Sequence, residues 1–162
     1  MKRVVFVTGE SKSGKSYLAT ELANKHAFVP LSVDAAYVDY VREKCDELYF
    51  KALHKYIAPH YKHILSDREH SKTQFNGRDF VEEWHEYLFQ QIEELATQKD
   101  RVVVEGYLLK YCTDCADHLR EKLQGKVQIF QIQAANKVYR RIDQTLTVEQ
   151  VATLGSNAPP EA

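Results

Sequence analysis

Gly9-Glu10-Ser11-Lys12-Ser13-Gly14-Lys15-Ser16, entered from Val4-Val5-Phe6-Val7-Thr8, is the stretch on which the reading of this chain turns. It has the spacing G-x-x-x-x-G-K-[ST] of a phosphate-binding loop, and each position has a physical job. Glycine at both ends lets the backbone wrap, because glycine tolerates positive φ. Wrapping aims successive N–H groups at one anion, and the helix that follows adds its own unpaired donors. Lys15 then reaches the β- and γ-phosphates of ATP, and the Ser16 hydroxyl binds Mg²⁺. Glu10, Ser11, Lys12, Ser13 and Tyr17 complete the expected ATP contact surface. The flanks agree: a β-branched and aromatic run precedes the loop, and Leu18, Ala19, Leu22 and Ala23 recur behind it at helical spacing.

Outward from the loop, the pattern alternates. Phe28 to Val33 is a second short apolar run, and Pro30, which removes a ladder donor, places it at a sheet edge. Helical periodicity follows from Ala35. A polar break, Asp67 to Gly77, carries the turn signal Asn76-Gly77. Asp79 reads as the N-cap of a helix to Gln98 with Phe80, Trp84, Leu88, Ile92 and Leu95 on its inner face. Arg101 to Gly106 is a third strand, and its lack of alternation buries it on both sides. A helix from Asp114 to Leu123 leads to a fourth strand, Val127 to Ile132. Asn136 to Ile142 and Thr147 to Leu154 read as helices. The expected fold is α/β: a parallel sheet of about four strands in the order 2-3-1-4, with helices on both faces. Residues 1–154 form one domain, 35–98 a helical insert, and 155–162 a disordered tail. The insert is inferred from connectivity, since a parallel crossover needs about a dozen residues and this one has more than sixty.

Composition narrows the function classes. Charged residues are 28% and apolar residues 44% of 162, with a net charge of −1, so no global field favours nucleic acid. No apolar run approaches a membrane span, and the basic start leads into the polar loop without a cleavage-type site. Three cysteines, an odd number, fit a reducing compartment, and a cytoplasmic location is expected. The stretch Lys51 to Arg78 holds six Lys or Arg against Asp67 and Glu69. It is either a solvated face or a surface for an anionic substrate. Cys112-x-x-Cys115 has the spacing of a metal or redox pair and equally that of one helix face, and no second such pair completes a zinc set.

In open α/β sheets ligands gather at the carboxyl ends of the strands, which draws Gly9–Ser16, Asp34, Glu105 and the segment around Arg140 toward one site. On these residues the chain resembles P-loop kinases of the nucleoside and nucleotide kinase group, above all the uridine-kinase-like small-molecule kinases. Ser32-Val33-Asp34 resembles their aspartate facing the acceptor hydroxyl. Val102-Val103-Val104-Glu105-Gly106 resembles the strand that closes the acceptor pocket. Val138-Tyr139-Arg140-Arg141-Ile142-Asp143 resembles the lid with paired arginines. The resemblance implies an ATP- and Mg²⁺-dependent kinase for a small, nucleoside-like acceptor. Asp34 serves as general base or as a helix cap, Glu105 as a Mg²⁺ or acceptor contact, and Arg140 and Arg141 as stabilisers of transferred charge. Tyr37, Arg68 and Arg78 are the remaining acceptor candidates. ATP and GTP stay open as donors. Two other classes also remain: a polynucleotide 5′-kinase using the basic stretch as its groove, and a non-catalytic nucleotide-binding module.

Overall fold

Val4, Val5, Phe6 and Val7 are all buried, but they feed two different cores. Val4 and Phe6 pack on one side of the sheet with Trp84, Leu88 and Ile92, whereas Val5 and Val7 pack on the other with Leu18 and Leu22. That is the period-two geometry of a strand covered on both faces. The computed structural model describes residues 2–44, 74–75, 77–112 and 114–156.

In chain order the elements are β1 (Lys2–Thr8), α1 (Lys15–His26), β2 (Val29–Ser32), α2 (Val33–Lys44), β3 (Gln74–Phe75), β4 (Arg78–Asp79) and α3 (Phe80–Gln98). They continue as β5 (Arg101–Glu105), a 3₁₀ turn (Tyr107–Tyr111), α4 (Cys115–Lys122), β6 (Val127–Ala135), β7 (Val138–Arg141), β8 (Gln144–Leu146) and α5 (Val148–Ala152). One sheet runs β2-β5-β1-β6-β7-β8, and β3 and β4 form a separate hairpin. β2, β5, β1 and β6 pair in parallel, while β7 and β8 pair antiparallel. β2, which carries Pro30, is an edge strand.

The expected sheet of about four parallel strands is therefore corrected to a six-stranded mixed sheet. The cause lies in the segment read as a helix from Asn136 to Ile142. β6 continues past Ile132, with Ile132 and Ala134 buried and Gln131 and Gln133 exposed. The chain then turns through Asn136 and Lys137, both at positive φ (49° and 60°), and returns with Ala135 opposite Val138. Two central residues at positive φ make a turn that matches strand twist, and Asn tolerates it well. A second two-residue turn, Ile142-Asp143, sets Arg141 opposite Gln144. Tyr139 and Leu146 point into the core that α1 and α5 cover, and this fixes the hairpins' faces.

Other elements match their local signals. The Asp79 side chain accepts from the N–H groups of Val81 and Glu82 and starts α3. Thr147 and Gln150 form a reciprocal capping box that starts α5, a shorter helix than the expected 147–154. Tyr37, Tyr40 and Tyr87 surround Trp84 where α2 meets α3. Of the insert expected at 35–98, α2, the β3–β4 hairpin and α3 are described; 45–73 lies outside the described residues, as does nearly all of the 155–162 tail. Among the described residues no helix is long and apolar enough to cross a membrane.

Candidate functional site

The register of the parallel strands aligns the site. Val7 pairs with Glu105, and Ser32 pairs with Glu105 on the other side, so β1, β5 and β2 end in one row. The loop after β1 and the turns after β2 and β5 therefore leave the sheet side by side.

The loop is held shut from within and from behind. The Ser13 N–H donates to the Glu10 carbonyl at 3.2 Å, and the Lys137 N–H donates to the Ser13 carbonyl at 2.8 Å. The Tyr139 hydroxyl donates to the Gly14 carbonyl at 2.9 Å. The β6–β7 turn thus braces the loop. Gly14 sits at φ 101°, and a Cβ there would lie 2.9 Å from Lys137 Cγ and 3.0 Å from the Tyr139 hydroxyl, so only glycine fits. Gly14 is also the N-cap of α1 and supplies no side-chain cap. The first-turn N–H groups of a twelve-residue helix consequently face the loop mouth uncapped, the arrangement that binds anions.

Lys15 is 7% exposed, and its ammonium reaches across the loop to the Glu10 carbonyl at 2.6 Å. Glu105 stands beside it. Burial lifts the Glu105 carboxyl above its ordinary range, the charge of Asp34 adds to this, and Lys15 and a hydrogen bond from Ser16 pull the other way. Lys15, Ser16, Asp34 and Glu105 therefore share one electrostatic neighbourhood.

Asp34 is placed differently from the expected cap of its own helix. Ser32 Oγ accepts from the Ala35 N–H at 3.2 Å and takes that role. The Asp34 carboxylate instead accepts from the N–H groups of Tyr107 and Leu108, at 3.1 and 3.0 Å. It caps the 3₁₀ turn after β5 and ties α2 to it. Each oxygen keeps a second lone pair for another donor.

Arg140 and Arg141, expected on a helical lid, lie on the strand β7. Thr8, Gln133 and Arg140 form one row across β1, β6 and β7, which puts the Thr8 and Arg140 backbones about 10 Å apart. Both arginines line a cavity of about 610 Å³ that also takes in Thr8, Lys110, Arg120 and Gln133. Lys110 and Arg120 were not foreseen. Lys110 pairs with the Glu10 carboxylate at 3.3 Å and lies 4.4 Å from the Tyr107 ring centre. Its signal in the sequence was only its position five residues beyond Glu105. Lys137 and Tyr139 were hidden by the helix reading, although Asn136-Lys137 between alternating residues was the clue.

The remaining candidates separate. Tyr17 is exposed, with the Lys137 ammonium 4.8 Å above its ring; Glu10, Ser11 and Lys12 are exposed along the loop, and Ser13 is buried. Tyr37 meets Trp84 edge-on in the α2–α3 interface. Arg68 lies outside the described residues, and of Arg78 only its backbone place in β4 is described.

The chain matches no family model and no curated protein. The donors and acceptors gathered at this edge define what it can hold. The uncapped α1 terminus and Lys15 suit a polyphosphate. The oxygen set of Ser16 and Glu105 suits Mg²⁺, which takes few protein oxygens and keeps waters.

Proposed function

We propose that the protein is a phosphotransferase that moves the terminal phosphoryl group of ATP to a small acceptor of nucleoside or nucleotide class, with Mg²⁺ as cofactor. The observation that carries this reading is the convergence of Lys15, Ser16, Asp34 and Glu105 around an uncapped helix terminus. A site for phosphoryl transfer needs positioning and charge neutralisation more than covalent chemistry. The α1 N–H groups and Lys15 bind the phosphates and hold them in line. Ser16 and Glu105 would hold Mg²⁺, which would supply charge neutralisation at the phosphate oxygens.

Asp34 orients the acceptor hydroxyl and takes its proton on a lone pair that the turn does not use. Its two N–H donors fix the carboxylate, so that it need not reorganise as the reaction proceeds. Lys110, Arg120, Arg140 and Arg141 give the neighbouring cavity a cationic wall, which favours an acceptor that already carries an anionic group.

The test is ADP release from MgATP across a panel of nucleosides, nucleoside monophosphates, sugars and oligonucleotides. One small-molecule class should raise ADP release well above the acceptor-free rate, and Lys15→Ala should abolish the increase. Stimulation by oligonucleotides alone would assign the acceptor to nucleic acid. Bound ATP with no acceptor-dependent turnover in the whole panel would leave a nucleotide-binding module and overturn the enzyme reading.

A further inference from the structure

Cys112 and Cys115 join the 3₁₀ turn that Asp34 caps to α4, and besides lining the cavity of about 610 Å³ they open on a second one on the side of α3. Cys112 closes the 3₁₀ turn, its N–H donating to the Leu109 carbonyl at 3.0 Å; Cys115 opens α4, its N–H donating to the Cys112 carbonyl at 3.3 Å. The two are buried and joined as a disulfide, with Cα atoms 5.8 Å apart. They are not two positions on one helix face, so the helical explanation of their spacing fails. Two further ligand types converge on Cys112. A ring nitrogen of His85, from α3, and a carboxylate oxygen of Asp114 lie with Cys112 Sγ so that all three atoms are within 4.8 Å of one another. Asp114 is the N-cap residue of α4, yet its side chain makes no capping hydrogen bond. The cavity they border, about 310 Å³, is also lined by Glu82, Glu86 and His118.

We propose that Cys112, Cys115, His85 and Asp114 form a binding site for a thiophilic divalent cation of the zinc type, available when the cysteine pair is reduced and closed when it is joined. Two sulfurs, one imidazole nitrogen and one carboxylate oxygen make a four-ligand set of the kind zinc takes, and the sulfurs disfavour Mg²⁺ and Ca²⁺. Tetrahedral zinc ligands stand roughly 3.5 Å apart, so the Cys112, His85 and Asp114 atoms need only a small contraction, while the two sulfurs have to move apart once their bond is reduced. The acidic side chains at the cavity wall attract the ion.

The switching step balances with a phosphine as reductant. The phosphine gives two electrons to the sulfur–sulfur bond and becomes a phosphine oxide with the oxygen of one water. The two protons of that water go to the two sulfurs. The cation then displaces both thiol protons to solvent as it binds. A low-molecular-weight disulfide reverses the change by thiol–disulfide exchange, rejoining Cys112 to Cys115 and leaving as two thiols.

Cobalt(II) titration of the full chain in a Cys45→Ser background, which removes the third thiol, tests the site. Phosphine-reduced protein should bind one cobalt per chain with a thiolate charge-transfer band, and added zinc should bleach the band. Oxidised protein should give no band. His85→Ala should weaken zinc about tenfold or more while the band persists at higher cobalt. Cys112→Ser should remove it, and should this variant fail to fold, the reduced and oxidised parent still decide the matter. Absence of a thiolate band in reduced protein would overturn the proposal and leave a structural disulfide; a band and affinity indifferent to His85→Ala would overturn the assigned ligand set.

Discussion

Asp34 has two possible duties, and one substitution separates them. As a cap it accepts from the N–H groups of Tyr107 and Leu108 through different oxygens. Asparagine keeps one acceptor oxygen, so Asp34→Asn should cost about 1 kcal/mol of stability in a denaturant titration. As the proton acceptor it has no neutral substitute, so turnover per folded molecule should fall by about a hundredfold or more while ATP affinity holds. A loss of stability with unchanged turnover per folded molecule would leave only the cap. Glu105 offers a pH test. Its carboxyl binds a proton more tightly in the folded chain than in the unfolded one, because burial and Asp34 raise it. Stability from this group is therefore greatest below the ordinary value of 4.5 and falls as pH rises through the raised folded value. Glu105→Gln removes that penalty. The Tm of the variant minus that of the parent should be larger at pH 7 than at pH 4. The gain should be under about 1 kcal/mol, since the group is half-exposed and screened. A difference that is flat or shrinking with pH would contradict the assigned environment.

The two hairpin turns after β6 are where local propensity and fold disagree. Ile142 sits at φ 57° and is 83% exposed, so a β-branched residue occupies a left-handed position with little packing to compensate. Asparagine accepts that conformation. Ile142→Asn should raise stability by about 1 kcal/mol, read from thermal or denaturant unfolding. A destabilised variant would mean that the turn is not formed as described. The same region shows why parts of the fold were illegible in the sequence. Strong periodic elements such as β1, α1, α3 and β5 announced themselves through burial on one or two faces. Asp79 and Pro30 marked a helix start and an edge strand by the backbone bonds they make or forbid. By contrast, β7 and β8 are only four and three residues long, and their turns carry Lys137 and Ile142 where glycine would have signalled a hairpin. Tertiary packing of Tyr139 and Leu146 decided those strands, and Asn136-Lys137 between alternating residues was the one weak local clue.

At the scale of the whole molecule, the sheet register is what assembles the site. Glu105 lies between Ser32 and Val7 in the row where three parallel strands end, so residues far apart in sequence emerge together. The loop stood out in the sequence because its spacing sets residue types at fixed offsets, whereas Asp34 and Glu105 were drawn to it only by the rule that parallel strands end side by side. Their supports were not: Lys137 and Tyr139 brace the loop from a strand pair that the sequence reading lacked, and Lys110 and Arg120 reach the cavity from a turn and a helix with no motif of their own. The central claim is that this edge binds the phosphates of ATP. Calorimetric titration of MgATP into the parent chain and into Lys15→Ala measures it directly, with unfolding curves to show that both are folded. The parent should bind one nucleotide, and the variant should bind it at least tenfold more weakly, a loss of about 1.4 kcal/mol or more. Equal affinity in the two proteins, or no binding to a fully folded parent, would contradict it.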